Sequence, residues 1–289
     1  MQIILNGLIS GSAIALLAVA FQSVYLPTRV FFLGLAGVYA MAPFIAYGVL
    51  NSGGGWMLAI PLTLSLCVAV SIACEWANHA PLSRRNASDG AHLIASLGIY
   101  IIIVQVISLV WGNDAKALRT GLNATTQIAT LVVTEAQLIT LCGSTLLVGG
   151  TALFLTRTDL GVRLRALADN PLEFQLFGYD LNSHRILAFA MAGFLASADS
   201  LFVSFDVGFD PHLGMNALLL AVVVVIIGGY DSFWGPALAG ALLGILRALV
   251  VWFLGAQWQD ATTFILLVFF LFMRPQGLLG RSRRLEVQI

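Results

Sequence analysis

Long apolar segments separated by short polar connections dominate the pattern of this chain. A helix needs roughly 20 predominantly apolar residues to span a bilayer. Nine segments approach or reach that length: 2–25, 30–50, 56–77, 92–112, 137–156, 185–205, 215–229, 236–255 and 260–273. The seventh and the last are short, so eight spanning helices also fit the pattern. The pattern predicts an all-α polytopic transmembrane helical bundle of about eight to nine spanning helices.

Composition supports a membrane protein. Hydrophobic residues make up 59% of the chain and charged residues only 10%, whereas charged residues are about 25% of a soluble domain. The net charge of zero gives no reason to expect a nucleic acid or another polyanion as partner. The first apolar segment has no basic region before it, which predicts a spanning helix rather than a cleaved signal peptide. Because no repeat or linker divides the chain, we expect one membrane domain over 1–289.

The distribution of arginine predicts the orientation, because short cytoplasmic loops carry an excess of Lys and Arg. Eleven arginines lie in or beside alternate connections: Arg29, Arg84, Arg85, Arg157, Arg163, Arg165, Arg185, Arg274, Arg281, Arg283 and Arg284. With nine helices this places the N-terminus outside and the C-terminus in the cytoplasm of a bacterial or archaeal plasma or inner membrane. The predicted outer loop 113–136 is a mild exception, since it carries Lys116 and Arg119.

Several kinds of chemistry find no support in the sequence. Lys116 is the only lysine and does not belong to a phosphate-binding loop, so ATP hydrolysis would require another chain. Cys67, Cys74 and Cys142 lie in apolar segments without C-x-x-C spacing, which predicts buried free thiols. No catalytic motif and no cluster with metal-ligand spacing is present. We therefore expect neither an enzyme nor a metal site.

The stretch RALADNPLEFQLFG (165–178) is a polar interruption that predicts a short helix. Asn170 is placed as its N-cap, Pro171 falls at the first helical position, and Glu173 completes a capping-box-like pair. Gly178 favours a left-handed end. An apolar surface of this helix must be covered, and it consists of Leu172, Phe174, Leu176 and Phe177. Two interpretations are open: an interfacial helix covered by its own protein or by lipid headgroups, and a knob covered by a cytoplasmic partner.

Ionisable residues at membrane depth suggest function. Asp199 lies about fifteen residues into the sixth segment and Arg247 about twelve into the eighth, which puts both at a similar depth. We expect them to pair across the bundle, either to fix the helices or to contact a zwitterionic substrate. Other polar residues could line a solute route or bond to neighbouring helices: Asn6, Ser10, Gln22, Ser96, Gln105 and Asn216.

Small residues on two of the segments favour close helix approach. Gly7 and Gly11 form G-x-x-x-G, and Gly240 and Gly244 share a face with Arg247. Two further polar residues are expected at the membrane surface, Glu75 at the interface and His184 as a solvated loop residue.

Three stretches resemble a known family: TRTDLGVRLRALADNPLEFQLFGYDLNSHRILAFAMAGFLA, FDPHLGMNALLLAVVVVIIGGYDSFWGPALAGALLGIL and LFMRPQGLLG. The family is that of the permease subunits of ATP-binding-cassette importers for branched-chain amino acids, the LivH/LivM type. ASLGIYIIIVQVISLVWG is similar to its central helix. The matching motif residues are Arg165, Ala166, Asn170 and Gly178, then Pro211 and Gly214, then Gly228, Gly229, Ser232 and Gly235, and finally Arg274, Pro275 and Gly277.

The resemblance implies a function and a set of partners. The cytoplasmic region 157–185 would hold a coupling helix that contacts an ATPase. In this chain we expect Phe174, which has no counterpart in the family pattern, to be its docking knob. Two ATPase subunits would bind ATP and Mg²⁺, a second homologous permease would complete a homodimer or heterodimer, and a periplasmic or extracellular binding protein would deliver solute. This chain itself would bind no cofactor. The substrate would be a small polar solute, with branched-chain or other neutral amino acids first and urea or a short amide second.

Departures from the family pattern leave the identity of the substrate undecided. The run 33–37 reads LGLAG where the family carries N-F-A-H-G, and Phe174 replaces a small residue. Tyr230 and Asp231 also stand where small residues are usual. An ion-coupled secondary transporter is the alternative from a different class, with Asp199 as its central acid.

Overall fold

A computed structural model describes residues 1–118, 125–128, 131–230, 232–274 and 277–279. Over these ranges the chain is almost entirely helical. The helices are α1 (Gln2–Thr28), α2 (Gly34–Asn51), α3 (Trp56–Cys74), α4 (Ala80–Arg84), α5 (Asp89–Trp111), α6 (Glu135–Arg157), α7 (Asp159–Asp169), α8 (Pro171–Leu176), α9 (Leu181–Val207), α10 (Leu213–Gly228), α11 (Gly235–Leu254) and α12 (Gln259–Met273). A π-helical turn (Glu75–His79) joins α3 to α4, and a 3-10 turn (Ala256–Trp258) precedes α12.

Eight helices within the described ranges are long and apolar enough to cross a membrane. The third of these runs without interruption from Trp56 to Arg84 through the π-helical turn, and is longer than the predicted segment 56–77. Helix α10 has 16 residues and is shorter than a full span. The prediction of a polytopic helical bundle is confirmed, and its uncertain seventh segment corresponds to this short helix.

Polar N-caps fix where several helices begin. Ser88, Thr134, Thr158, Asn170 and Asp180 each accept a hydrogen bond from a backbone N–H in the first turn of the following helix. Such side chains satisfy N–H groups that have no partner within the helix. The ends of the apolar segments are therefore marked by local chemistry as well as by loss of hydrophobicity.

A small antiparallel hairpin lies in the segment predicted as an outer loop. Strand β1 (Thr125–Ile128) pairs with β2 (Leu131–Thr134), with Thr125 opposite Thr134 and Ile128 opposite Leu131. Lys116 and Phe209 also exchange backbone hydrogen bonds of 2.8 Å each. This contact ties the connection after α5 to the one after α9. The all-α description therefore needs this hairpin added, and Arg119 lies outside the described residues.

The core lies where α1, α2, α9 and α10 meet. Leu16, Phe21, Leu35, Phe189 and Leu218 are fully buried there. Helices α3, α5, α6, α11 and α12 surround this centre and expose large apolar side chains on their outer faces. This arrangement suits a bundle whose outer surface meets lipid.

Helix α1 packs closely along α11 at the predicted small residues. A Cβ on Gly244 would overlap the backbone of Gly7 and Gly11, and one on Gly240 would overlap Ala15. The two backbones approach each other because these positions carry no side chain. The structure thus places the G-x-x-x-G pair of α1 opposite the small residues of α11.

The bundle has two distinguishable ends. At the arginine-rich end α1 finishes next to Arg29, α6 finishes at Arg157, and α7 and α8 form a connection to α9. At the opposite end lie the hairpin and the contact between Lys116 and Phe209. Other predicted positions lie outside the described residues: Asp231, Pro275, Arg281, Arg283 and Arg284.

The prediction of three buried thiols was wrong in one case. Cys67 and Cys74 are buried, but Cys142 is exposed. Cys142 lies on α6, one of the peripheral helices whose outer face is apolar. An apolar neighbourhood in the sequence therefore did not distinguish a core position from a surface position.

Candidate functional site

The short helix α8 at the arginine-rich end forms with its predicted cap. The Asn170 side chain accepts hydrogen bonds from the N–H groups of Leu172 at 3.1 Å and Glu173 at 3.3 Å. Pro171 opens the helix, and Gly178 has a φ of 83° just after its end. Glycine adopts this left-handed conformation without the steric cost of a Cβ. The Asn170 cap and the left-handed glycine are therefore as predicted. The predicted reciprocal bond from the Glu173 side chain to Asn170 is not among the hydrogen bonds of the described residues.

Phe174 is buried beneath α8, which overturns its prediction as an exposed docking knob. Its ring stacks on Tyr179 with a centroid distance of 5.1 Å and meets the edge of His184 at 4.9 Å. His184 was predicted as a solvated loop residue, and it is instead buried in the first turn of α9. The chain turns back at Gly178, which brings α9 under Phe174.

The outward surface of α8 consists of Leu172, Leu176 and Phe177, which we call the docking face. These three apolar side chains are 69%, 79% and 79% exposed. Glu173 and Gln175 are also exposed beside them. Leu172 and Leu176 lie on α8 and Phe177 directly follows it, and a short segment with three exposed large apolar side chains is suited to contact with a partner or with lipid headgroups.

Arg165 and Ala166 precede α8 on α7 and border a cavity of about 600 Å³ at the arginine-rich end. Arg29, Asp169 and Ser232 also line this arginine cavity. The Arg165 Nε atom is buried and has no hydrogen-bond partner among the described residues. Arg29 and Arg165, predicted in two different connections, therefore lie at the same end of the bundle.

A buried ion pair joins the start of α9 to the end of α3. The Arg185 guanidinium donates through Nε to Oε1 of Glu75 at 2.5 Å and through Nη2 to Oε2 at 3.2 Å. Both side chains are at most 9% exposed. Glu75 was predicted to reach the membrane surface, but the π-helical turn directs it to Arg185 instead. Arg185 directly follows His184, so α8 and the ion pair are adjacent.

Two histidines lie beside this ion pair. The Nδ1 atoms of His79 and His92 are 3.2 Å apart, a distance that requires one nitrogen to donate and the other to accept. The His79 ring also packs against Phe32 and Phe189. The pair links the end of the third spanning helix to α5.

A second cavity of about 710 Å³ lies in the half of the bundle at the opposite end. Its lining comes from the first half of α1, the starts of α6, α10 and α12, the last turns of α9, and single positions on α2 and α11. Polar lining residues are Asn6, Ser10, Tyr39, Gln137, Thr140, Asp199, Asp206, Asn216, Arg247, Gln259, Asp260 and Thr263. This aspartate cavity brings together three predicted site residues, Asp199, Arg247 and Asn216.

The predicted pairing of Asp199 with Arg247 does not form. Arg247 donates instead to Asp260 at 3.2 Å and to the Thr263 hydroxyl at 2.7 Å. Asp260 and Thr263 lie on α12, which follows α11 after a short turn. The partners of Arg247 therefore come from the next helix along the chain. Asp199 and Arg247 share the cavity wall without an ion pair between them.

Asp199 lies at the inner end of the aspartate cavity. The residue is 1% exposed, and its Oδ1 atom has no hydrogen-bond partner among the described residues. The Tyr39 hydroxyl donates a hydrogen bond to the Asp199 carboxyl group. The hydroxyl of Ser200 donates to the Tyr39 carbonyl at 2.6 Å, which holds α9 against α2 at this level.

The other predicted route residues have separate surroundings. Ser96 accepts a hydrogen bond from the Gly34 N–H at 2.8 Å, and Gln22 donates to the Tyr230 carbonyl at 2.6 Å. Gln105 is exposed on the outer face of α5. Only Asn6, Ser10 and Asn216 from this predicted set line the aspartate cavity.

The double glycine at Gly228 and Gly229 forms a turn that holds the end of the described chain. A Cβ on Gly228 would overlap Gly235 and Pro236. The N–H groups of Leu278 and Leu279 donate to the carbonyls of Ile227 and Gly228 at 2.8 and 3.0 Å. The glycine-rich turn and the segment after α12 are thus joined.

Comparison with known proteins identifies relatives over nearly the whole chain. Residues 3–271 match the family described as the permease component of branched-chain amino acid transport systems. The chain is 27% identical to the high-affinity branched-chain amino acid transport system permease protein BraD of Pseudomonas aeruginosa, over 97% of this chain and 96% of the relative. It is 25% identical to the corresponding permease protein LivH of Escherichia coli K12, over 97% and 96%.

A solved structure shares the fold. The structure of PsaBC from Streptococcus pneumoniae in complex with Fab superimposes with a TM-score of 0.55 and 14% identity, over 96% of this chain and 93% of that chain. At this identity the similarity concerns the arrangement of helices alone.

Proposed function

Because the chain belongs to the permease-component family of branched-chain amino acid transport systems, we propose that it is the transmembrane permease subunit of an ATP-driven importer. Its solute is a small polar molecule, with branched-chain or other neutral amino acids as the first candidates. The relatives BraD and LivH are named as permeases for branched-chain amino acids and align over almost their full length. Their names support this substrate class.

The arginine-rich end faces the cytoplasm and the opposite end faces outward in this proposal. Arg29, Arg157, Arg165 and Arg185 all belong to the arginine-rich end, in agreement with the positive-inside rule. The N-terminus of α1 is then outside. The aspartate cavity then lies in the half of the bundle nearer the side from which an importer receives its solute.

The observation that carries the proposal is the docking face of α8. Leu172, Leu176 and Phe177 are held outward by a capped helix on the arginine-rich end. Their position suits contact with a cytoplasmic ATPase, as expected for a coupling helix. Two such ATPase subunits would bind ATP and Mg²⁺. A second permease subunit and an external solute-binding protein would complete the transporter.

Coupling would pass from the docking face through packed side chains. Phe174 on the inner side of α8 rests on His184, and the next residue, Arg185, is bound to Glu75 at the end of α3. A shift of α8 on ATP binding would therefore move the start of α9 and the end of α3 together. Interfaces of this kind switch between discrete arrangements.

The test is the Phe177→Ala variant in proteoliposomes that contain all partner subunits. Loss of the exposed ring should reduce ATP-dependent uptake by at least about tenfold, the effect of losing roughly 1.4 kcal/mol at a hot spot, while the variant folds normally. ATPase activity should lose its stimulation by the binding protein. Phe272→Ala is the matched control, because Phe272 is 90% exposed at the same end but lies on α12.

Three outcomes decide the proposal. Reduced coupling in Phe177→Ala with normal Phe272→Ala supports α8 as the ATPase contact. Normal coupled uptake by both variants would return α8 to an interfacial role. Uptake that persists without ATPase and collapses with the proton gradient would identify an ion-coupled secondary transporter and contradict the proposed function.

A further inference from the structure

We propose that Asp199 is a solute-binding residue that receives a primary ammonium group at the inner end of the aspartate cavity. The inference rests on the proposed function and deepens it, because it assigns the chemistry of the solute from the site itself. The site selects molecules that combine a protonated amine with an aliphatic chain.

The first support is the burial of a carboxylate without a counter-ion. Asp199 is 1% exposed, its Oδ1 atom lacks a partner among the described residues, and the residue lines the cavity. A charge removed from water without compensation is costly. An ammonium group inside the cavity would supply both the opposite charge and a hydrogen-bond donor.

The charge of the whole lining favours a cation. Three carboxylates border the cavity, those of Asp199, Asp206 and Asp260. Arg247 is the one arginine or lysine among the lining residues, and Asp260 already bonds to it. The positive charge of Arg247 is therefore compensated within the protein. Asp199 has the Tyr39 hydroxyl as a hydrogen-bond donor, but no cationic side chain pairs with it among the described residues.

The apolar walls define the rest of the solute. They consist of aliphatic side chains from three helices, α1, α9 and α10: Ile9, Ala13, Ile14, Leu17, Val203, Leu213, Ala217, Leu220 and Val223. A cavity of about 710 Å³ lies within the range of roughly 300–1,000 Å³ typical of small-molecule sites. Asp199 is eight residues from the end of α9, so its depth along the helix is about 12 Å. A compact aliphatic ammonium compound fits this depth with its charged group innermost.

The experiment measures binding to the purified complex in detergent, without ATP and without the binding protein. Leucine, isopentylamine and the neutral analogue 4-methylpentanamide, which keeps the branched aliphatic chain but carries no protonated amine, are the probes, and thermal stabilisation reports binding. We expect leucine and isopentylamine to stabilise the wild type at concentrations where the amide does not. In Asp199→Asn the affinity for both amines should fall about ten- to hundredfold, the range for a lost charge-assisted hydrogen bond.

Asp210→Asn is the matched control, since it removes a carboxylate from the connection between α9 and α10 at the same end of the bundle, and Asp210 does not line the cavity. This variant should retain the preference for amines. Equal stabilisation by amine and amide would overturn the inference, and so would amine binding unchanged in Asp199→Asn. An Asp199-dependent response to NaCl but not to choline chloride, with no response to either amine, would identify an inorganic cation site and would also overturn it.

The wild-type comparison of amine with amide decides the inference even if Asp199→Asn does not fold. Failure of the Asp199 inference is distinguishable from failure of the proposed function, because the binding assay contains no ATP. Amine-selective binding without ATP-dependent uptake would contradict the importer and leave the site intact. ATP-dependent uptake without amine-selective binding would do the reverse.

Discussion

Glu75 and Asp199 are two buried carboxylates in the same bundle, and their surroundings differ. Glu75 lies toward the arginine-rich end and receives two hydrogen bonds from the Arg185 guanidinium. Asp199 lies toward the opposite end, where the available guanidinium of Arg247 is bound to Asp260. Both carboxylates are 1% exposed, so burial alone does not distinguish them.

The difference separates a structural charge from one available to a ligand. The charge of Glu75 is compensated by Arg185 within the fold, and loss of either partner would leave the other uncompensated. Asp199 has no such partner among the described residues, so a neutral replacement removes a cost rather than creating one. The paired carboxylate should matter for stability, and the unpaired one for solute binding.

The largest expected effect is that of Arg185→Met, which removes the cationic partner of Glu75. An uncompensated buried Glu75 should destabilise the protein by about 3–5 kcal/mol. Asp199→Asn should be neutral or stabilising. Thermal unfolding of the purified complexes in one detergent would measure both.

The double variant Glu75→Gln with Arg185→Met is the control, because it removes the orphaned charge. It should recover part of the stability lost in Arg185→Met. A loss in Asp199→Asn as large as that in Arg185→Met would mean that both carboxylates are structural, and the distinction between them would fail.

A smaller effect is expected for Phe174→Ala, which tests whether α8 is coupled to the Glu75–Arg185 ion pair. Removal of a buried phenylalanine ring costs about 3 kcal/mol, and here the loss should appear as undocking of α8 from His184. Hydrogen exchange of the amides of α8 and the first turn of α9 would detect it. Since the two sites are adjacent, its effect should not add to that of Arg185→Met. Strict additivity would separate α8 from the ion pair.

The features of α8 that the sequence predicted are local ones. Asn170, Pro171 and Gly178 act within a few residues of their own backbone, so their types were sufficient to predict both ends of the helix. The direction of Phe174 depends on where α9 returns after Gly178. A helix of six residues has too little periodicity to reveal that, so Phe174 was predicted to be exposed together with Phe177, and only Phe177 is.

The predicted pairing of Asp199 with Arg247 failed for a different reason. Counting residues along the segments estimated the depth of each charge, but depth does not fix the rotation of a helix about its axis. Asp260, thirteen residues after Arg247, reaches the guanidinium across the turn between α11 and α12. The pair Glu75–Arg185 was missed although a signal existed, since two opposite charges bordered apolar segments at the same predicted side of the membrane.

Asp260→Asn tests the surroundings of Asp199, and its expected effect is smaller. The Asp260 side chain is 81% exposed, and exposed ion pairs contribute about 0–1 kcal/mol. The variant should therefore lose little thermal stability, because Thr263 still bonds to Arg247. Amine binding should weaken slightly, since one carboxylate of the cavity is neutralised. A loss of stability close to that of Arg185→Met would place the bond between Arg247 and Asp260 among the structural pairs.

The smallest expected effect concerns Asp180, the N-cap of α9, the helix that carries Arg185. Hydrogen bonds from the Ser183 hydroxyl and from the N–H groups of Ser183 and Asn182 lower the pKa of Asp180. Since the folded-state pKa is the lower one, the charged cap stabilises the protein fully above the pKa of the unfolded chain. This contribution is lost as the pH falls below the unfolded-chain pKa and through the lower folded-state pKa. Asp180→Asn keeps a capping oxygen but does not titrate, so its melting temperature should fall less than that of the wild type between pH 5 and pH 3. Identical pH dependence in the two proteins would show that the cap charge does not support the start of α9.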